Sequence, residues 1–161
     1  MKTKILSLEE LGERARALRD GGGRLVLTNG VFDLLHVGHV RYLQQARLLG
    51  DHLAVALNGD ESVRTLKGPG RPINCSADRA EVLAALACVD LVTIFPAVRA
   101  TEVIVATRPA IYVKGGDYTA ETLNAEERAA LDEVGAKIEI LPLVPGKSTS
   151  SIIERMSASS L

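Results

Sequence analysis

Five short apolar runs, Arg24–Thr28, His52–Leu57, Leu91–Phe95, Ile111–Val113 and Lys137–Leu141, alternate with amphipathic stretches of helix length, and this alternation constrains the fold most. Strands separated by helices bury both kinds of element when the strands lie parallel in one sheet with helices packed on its faces. The expected class is therefore α/β, a doubly wound, parallel five-stranded sheet. Ser7 with Glu10 three residues on forms a capping-box pattern for a helix over residues 8–20, and Gly21-Gly22-Gly23 stops it. Further helices are expected over residues 38–49, where Val40, Leu43, Ala46 and Leu49 share one face and Gly50 follows, and over 77–88, 101–107, 126–134 and 148–156. Residues 157–161 read as a polar tail. One domain over residues 1–161, with its core in 24–156, accommodates all of these elements.

Because only 3% of the residues are aromatic, aliphatic side chains must build that core. A formal net charge of -1 excludes binding of nucleic acid through the overall field, so any anion site has to be local. Cys75 and Cys88 are too few and too far apart for a disulfide framework or a Cys-x-x-Cys zinc or redox site, and are expected as reduced thiols. Glu9 and Glu10 interrupt the start before an apolar run can form, so neither a leader nor a membrane span is expected, and the location is expected to be cytoplasmic.

Ligands of open parallel sheets bind outside the carboxyl ends of the strands. The loops there, 28–38, 58–74, 114–118 and 142–147, hold the unusual residues of this chain. The densest signal is Thr28-Asn29-Gly30-Val31-Phe32-Asp33-Leu34-Leu35-His36-Val37-Gly38-His39, leading from a strand into a helix. The first helical turn offers unpaired N–H groups at the positive end of a dipole, which suits a phosphate. Gly38 lets that phosphate approach, and His36 and His39, three residues apart, can add imidazole donors. A metal pair is the rival reading, but zinc needs three or four ligands and only His52 remains as a third histidine; two histidines that merely satisfy local backbone groups are the other. Lys67, in a loop bounded by Gly and Pro, can cross a triphosphate or be a solvated lysine; Arg71 can reach a phosphate or sit in an ordinary Arg-Pro turn. Asp33 is expected to support the site, because a carboxylate directly against a triphosphate is repelled without a metal. Gly146-Lys147-Ser148 looks like the end of a Walker A loop, but position 141 is Leu where the first glycine belongs.

The run Gly30-Val31-Phe32-Asp33-Leu34-Leu35-His36-Val37-Gly38-His39 resembles the signature of the cytidylyltransferase-like nucleotidyltransferases, with a Rossmann-like sheet, from about Thr28 to Arg155. Within that family the stretches Leu66–Ile73, Asp78–Leu83, Val113–Tyr118 and Ser148–Ile153 look most like the adenylyltransferases of ADP-heptose synthesis. The resemblance implies transfer of AMP from ATP, with Mg²⁺, to D-glycero-β-D-manno-heptose 1-phosphate. It implies His36, His39 and Lys67 as catalytic residues, and Asn29, Gly30, Val31, Phe32, Gly38, Arg79, Lys114, Gly115, Asp117, Ser148, Thr149 and Ser150 around the nucleotide. Asp33, Arg71 and Tyr118 fall to the acceptor, and no metal ligand is implied among the protein's side chains. A helix-surface ion pair is the alternative for Arg79, turn chemistry for Gly115 to Asp117, and an ordinary helix cap for Ser148 to Ser150. The expected partners are a nucleoside triphosphate and a phosphorylated sugar, with neither nucleic acid nor membrane, in a homodimer. Two other functions fit the first motif: a cytidylyltransferase using CTP with glycerol 3-phosphate or a phosphorylated amino alcohol, and a non-catalytic nucleotide-binding module. GTP is a further candidate donor within heptose metabolism.

Overall fold

The computed structural model describes residues 3–116 and 118–159. Its elements in chain order are α1 (Leu8–Asp20), β1 (Leu25–Gly30), α2 (Val37–Arg47), β2 (His52–Asn58), α3 (Asp60–Lys67), α4 (Ser76–Ala85), β3 (Leu91–Phe95), α5 (Thr101–Thr107), β4 (Ile111–Gly115), α6 (Ala125–Val134), β5 (Lys137–Leu141) and α7 (Thr149–Ala158). The five strands form one sheet in the order β3-β2-β1-β4-β5, every pairing parallel. The α/β doubly wound architecture is the one the alternation predicts.

Strand periodicity divides the core between the two faces. Leu25 and Leu27 of β1 pack with Leu11 and Ala15 of α1, Val103 and Ile104 of α5, and Ala130 and Leu131 of α6. Val26, between them, points the other way, to Leu43 and Ala46 of α2 and Ala80 and Leu83 of α4. Each fully buried Leu, Ile or Val among these contributes about 1.5–3 kcal/mol relative to exposure. Strand order reverses between β1 and β4, and the crevice at their carboxyl ends lies between the two helical layers.

Several boundaries differ from expectation for local reasons. Residues 60–67, expected as loop, form α3, whose buried Val63 anchors it and whose last residue is Lys67; Gly68 follows at φ 90°. The expected helix 77–88 ends at Ala85 because Leu86 turns extended, at ψ 132°. The helix expected to run to Leu49 ends at Arg47. β1 and β4 each run two residues further than expected, carrying Asn29, Gly30, Lys114 and Gly115 on strands rather than in loops. α7 continues through Ser157 and Ala158, into the expected polar tail. The capping box at Ser7 and Glu10 forms: the Glu10 carboxylate accepts the Ser7 N–H at 2.7 Å, and the Ser7 hydroxyl accepts the Glu10 N–H at 3.2 Å. Residues ahead of α1 cover the outer edge of β3, with the Leu6 N–H donating to the Val92 carbonyl at 2.9 Å and the Val92 N–H to Lys4 at 2.8 Å. No helix among the described residues is long and apolar enough to cross a membrane.

Candidate functional site

The turn after β1 is built around its two histidines. His36 is the N-cap of α2, and its Nδ1 accepts the Gly38 N–H at 3.1 Å, while the Nδ1 of His39 accepts the His36 N–H at 3.4 Å. This is a capping box made of imidazoles, with ring centroids 3.9 Å apart. A Cβ on residue 38 would lie 2.8 Å from both Nδ1 and Cε1 of His36, so the glycine is needed first to admit the capping ring. Phe32 adopts a left-handed backbone, φ 47°, that non-glycine residues seldom accept, and its ring lies 5.3 Å from that of His39.

These bonds select a tautomer. With each Nδ1 accepting, the neutral rings carry their proton on Nε2, the remaining donor. Burial pushes His36 below the ordinary histidine range and the charge of Lys147 pushes it further; burial, then His36, brings His39 down to about 4. At neutral pH both rings are uncharged Nε2–H donors on the wall of a cavity of about 730 Å³ at the carboxyl end of the sheet.

The start of α7 meets the same cavity. The Thr149 hydroxyl donates to the Leu34 carbonyl at 3.0 Å, tying α7 to the histidine turn, and the Ser148 hydroxyl accepts the Ser151 N–H at 3.0 Å as N-cap. The Thr149 proton is thus committed to the fold, whereas the Ser148 O–H remains a donor toward the cavity and the Ser150 hydroxyl has no partner among the described residues. The open N–H groups of the first turn remain available to an anion. Lys147, ahead of the cap, and Lys67, at the end of α3, line the cavity and form no ion pair with a described residue.

Asn29, Gly30, Val31, Phe32, Gly38, Arg71, Lys114, Gly115 and Tyr118 line the cavity as expected, and Asp117 lies outside the described residues. Two expectations need correction. Arg79, expected on the nucleotide, is 2% exposed and absent from the wall; it donates to the carbonyls of Val31 (2.6 Å) and Asn74 (2.9 Å) and pairs with Asp60 at 2.8 Å. It braces the histidine turn, the 71–74 turn and the start of α3 against one another. Asp33, which the resemblance assigned to the acceptor, instead supports the site as its charge led one to expect: its fully buried side chain accepts N–H groups from Ile73 (2.8 Å), Asn74 (2.9 Å) and Arg71 (2.7 Å). Burial would raise its carboxyl, but those donors outweigh it and hold it below the usual range. It organises the loop and leaves the terminal nitrogens of Arg71 free. The glycines of this turn also make room for protein: a Cβ at 116, where φ is +77°, would lie 2.4 Å from Leu143, and one at 115 would lie 3.2 Å from Leu143 and 3.3 Å from Tyr42.

Lys114 extends over the rings of Tyr112 and Tyr118, 5.9 and 5.2 Å from their centroids. Burial lowers its affinity for a proton, against the opposing charge of Glu127. Sequence reasoning missed Tyr42, Asn58, Arg99, Asn124, Glu127, Leu143 and Val144, all on the cavity wall. Position at the end of β2 could have marked Asn58, but Glu127 lies in a helix whose polar sequence resembles any solvated face.

The family model described as cytidylyltransferase-like matches residues 27–155. Among curated proteins, the bifunctional protein HldE of Syntrophotalea carbinolica is 48% identical over 154 residues, which are 96% of this chain and 31% of that protein. The bifunctional protein HldE of Geotalea uraniireducens is 48% identical over 158 residues, 98% of this chain and 32% of that protein. The chain thus spans about a third of the length of these relatives. Among solved structures, the lipopolysaccharide core biosynthesis protein of Thermoplasma volcanium superposes with a TM-score of 0.63 at 27% identity, covering 76% of this chain and 98% of that one.

Proposed function

The chain belongs to the cytidylyltransferase-like family and is a nucleotidyltransferase; from that premise we propose that it transfers AMP from ATP to D-glycero-β-D-manno-heptose 1-phosphate, giving ADP-heptose and pyrophosphate. The observation that carries the chemistry is the convergence of two helix starts, α2 and α7, on one cavity beside two neutral imidazoles and two unpaired lysines. Such an arrangement holds a triphosphate and strengthens its contacts as charge moves onto the departing pyrophosphate. The choice of donor and acceptor is supported by the 48% identity to the HldE relatives over nearly the whole chain, together with the resemblance of Leu66–Ile73 and Val113–Tyr118 to the adenylyltransferases of ADP-heptose synthesis.

In this reading the nucleotide's phosphates lie across the α2 and α7 starts, and the half-exposed Leu143 with Val144 gives the base an apolar surface. The acceptor's phosphate, with a second pKa near ~6, is already a nucleophile at neutral pH. Positioning therefore replaces a general base. His36, His39, Lys67 and Lys147 donate to phosphate oxygens, and Arg71, held by Asp33, directs its free nitrogens to the same anion. Among the described residues no three His, Cys, Asp or Glu side chains gather as metal ligands, and Asp33 is committed to the loop. Mg²⁺ would therefore be held by the phosphates, where it supplies further neutralisation of the leaving group.

Pyrophosphate release measured with ATP, CTP and GTP against heptose 1-phosphate, glycerol 3-phosphate and a phosphorylated amino alcohol tests the assignment. The expected outcome is turnover with ATP and the heptose. Turnover with CTP and glycerol 3-phosphate would replace the donor and acceptor, and silence with every pair would leave a binding module. A homodimer is carried forward with this proposal, supported by half-exposed Val82 beside a groove between α4 and α7 that Leu34, Leu35 and Ile152 also line; light scattering tests it.

A further inference from the structure

Val98 and Arg99, ahead of α5, and Asn124 and Glu127, at the start of α6, supply one lobe of the cavity wall, from helices packed on the sheet face opposite α2. Glu127, the third residue of α6, is 4% exposed and lines it. Its Oε1 accepts the Ala100 N–H at 2.9 Å, at the cap of α5; its Oε2 accepts no hydrogen bond from any described residue. That second oxygen stays open to the cavity, so a ligand's hydroxyls can take the place of water on it. Asn124, the N-cap of α6, accepts the N–H groups of Glu126 and Glu127 on its Oδ1, and its amide nitrogen, on the same wall, has no acceptor among the described residues. Lys114 and Arg99 complete the lobe, and neither forms an ion pair with Glu127. Two cations and one carboxylate leave a net positive lobe containing one strong acceptor and one amide donor.

The geometry points to Glu127 as the residue that reads the acceptor: its Oε2 accepts hydrogen bonds from adjacent hydroxyls of a sugar phosphate whose phosphate is drawn by Lys114 and Arg99. This rests on the transfer to a sugar phosphate proposed above. With the triphosphate across the α2 and α7 starts, the acceptor enters from the opposite face, and the two meet at the ends of β1 and β4, where Gly30 and Lys114 line the crevice. The ribose of the nucleotide carries the same diol chemistry and is the competing source.

Steady-state kinetics of the full chain separate the two. Glu127→Gln keeps an oxygen for the Ala100 N–H but replaces the charged acceptor; it is expected to raise KM for the sugar phosphate about tenfold, with kcat and KM for ATP changed less than about twofold. Acceptors lacking one of the hydroxyls should lose about the same factor with the wild-type chain and nothing further with the variant. Asn124→Asp, which preserves the helix cap, adds a negative charge to the lobe and is likewise expected to raise KM for the sugar phosphate alone, a check that stands even where Glu127→Gln does not fold. An unchanged acceptor KM in these variants overturns the assignment, as does a loss confined to ATP that 2′-deoxy-ATP abolishes. If the wild-type chain turns over no sugar phosphate, the transfer reading falls and this one with it; wild-type turnover with unaltered variants overturns the Glu127 assignment alone.

Discussion

His36 caps α2 through Nδ1 and faces the cavity with the other side of the same ring, so one substitution series can separate the two roles. His36→Ala removes the acceptor of the Gly38 N–H, which costs about 1 kcal/mol for a lost N-cap. In a domain of this size that lowers Tm by about 2–4 °C. His36→Asn restores the cap, because the Asn side-chain oxygen is a favoured partner for the N–H groups of a first turn, yet the shorter side chain carries no Nε2–H to a phosphate. Loss of one positioned donor to developing negative charge costs about 10²–10³ in kcat, or about 3–4 kcal/mol of transition-state stabilisation. The Asn variant should therefore melt within about 1 °C of the wild type and bind ATP within about threefold, while pyrophosphate release falls at least about a hundredfold. Differential scanning fluorimetry, calorimetric ATP titration and a coupled pyrophosphate assay give the three readings. Near wild-type turnover by His36→Asn would refute the argument and leave the imidazole as a cap; an unchanged Tm in His36→Ala would refute the capping role.

His39 has a folded-state pKa of about 4 against an ordinary value of 6.5. Between those values the unfolded chain binds more protons, so its contribution is complete above about pH 6.5 and lost as pH falls toward 4, a difference of about 3 kcal/mol at ~1.4 per unit. Urea unfolding from pH 7 to 4 should show His39→Asn losing about that much less stability than the wild type over the window; parallel curves would contradict it. Asp33→Asn sets an amide N–H₂ against the donors of Ile73, Asn74 and Arg71, and should lower unfolding free energy by about 2 kcal/mol and raise KM as Arg71 is released. A variant with wild-type stability and kinetics would remove the loop-organising role. Gly116→Ala meets both a left-handed backbone and Leu143 at 2.4 Å, and should cost about 1–3 kcal/mol in denaturant titration while raising KM for the nucleotide. Unchanged unfolding would show that the β4 turn relaxes at no cost.

What could be read from the sequence was whatever depends on local pattern. The five strands follow from short apolar runs, and the phosphate turn from a glycine and two histidines placed at a strand-to-helix junction. What could not be read depends on partners distant along the chain. Arg79 looks the same in sequence whether it meets a phosphate or the carbonyls of Val31 and Asn74; only the return of the 71–74 turn onto β1 decides it. Asp33 likewise finds its donors about forty residues on. α3 escaped notice because its eight residues contain few apolar positions, too short a window for a helical period to show. Glu127 is the sharpest case: a carboxylate in a polar helix reads as solvated, yet α6 packs beside α5, so Ala100 claims one oxygen and the cavity receives the other. Bond-making chemistry in this fold sits where the chain is locally distinctive, at the helix start beside β1. In the proposed reading, choice of acceptor falls to side chains that become distinctive only when two successive helices, α5 and α6, begin at the same end of the sheet. A histidine variant should therefore affect every substrate pair alike, whereas a Glu127 variant should discriminate among acceptors.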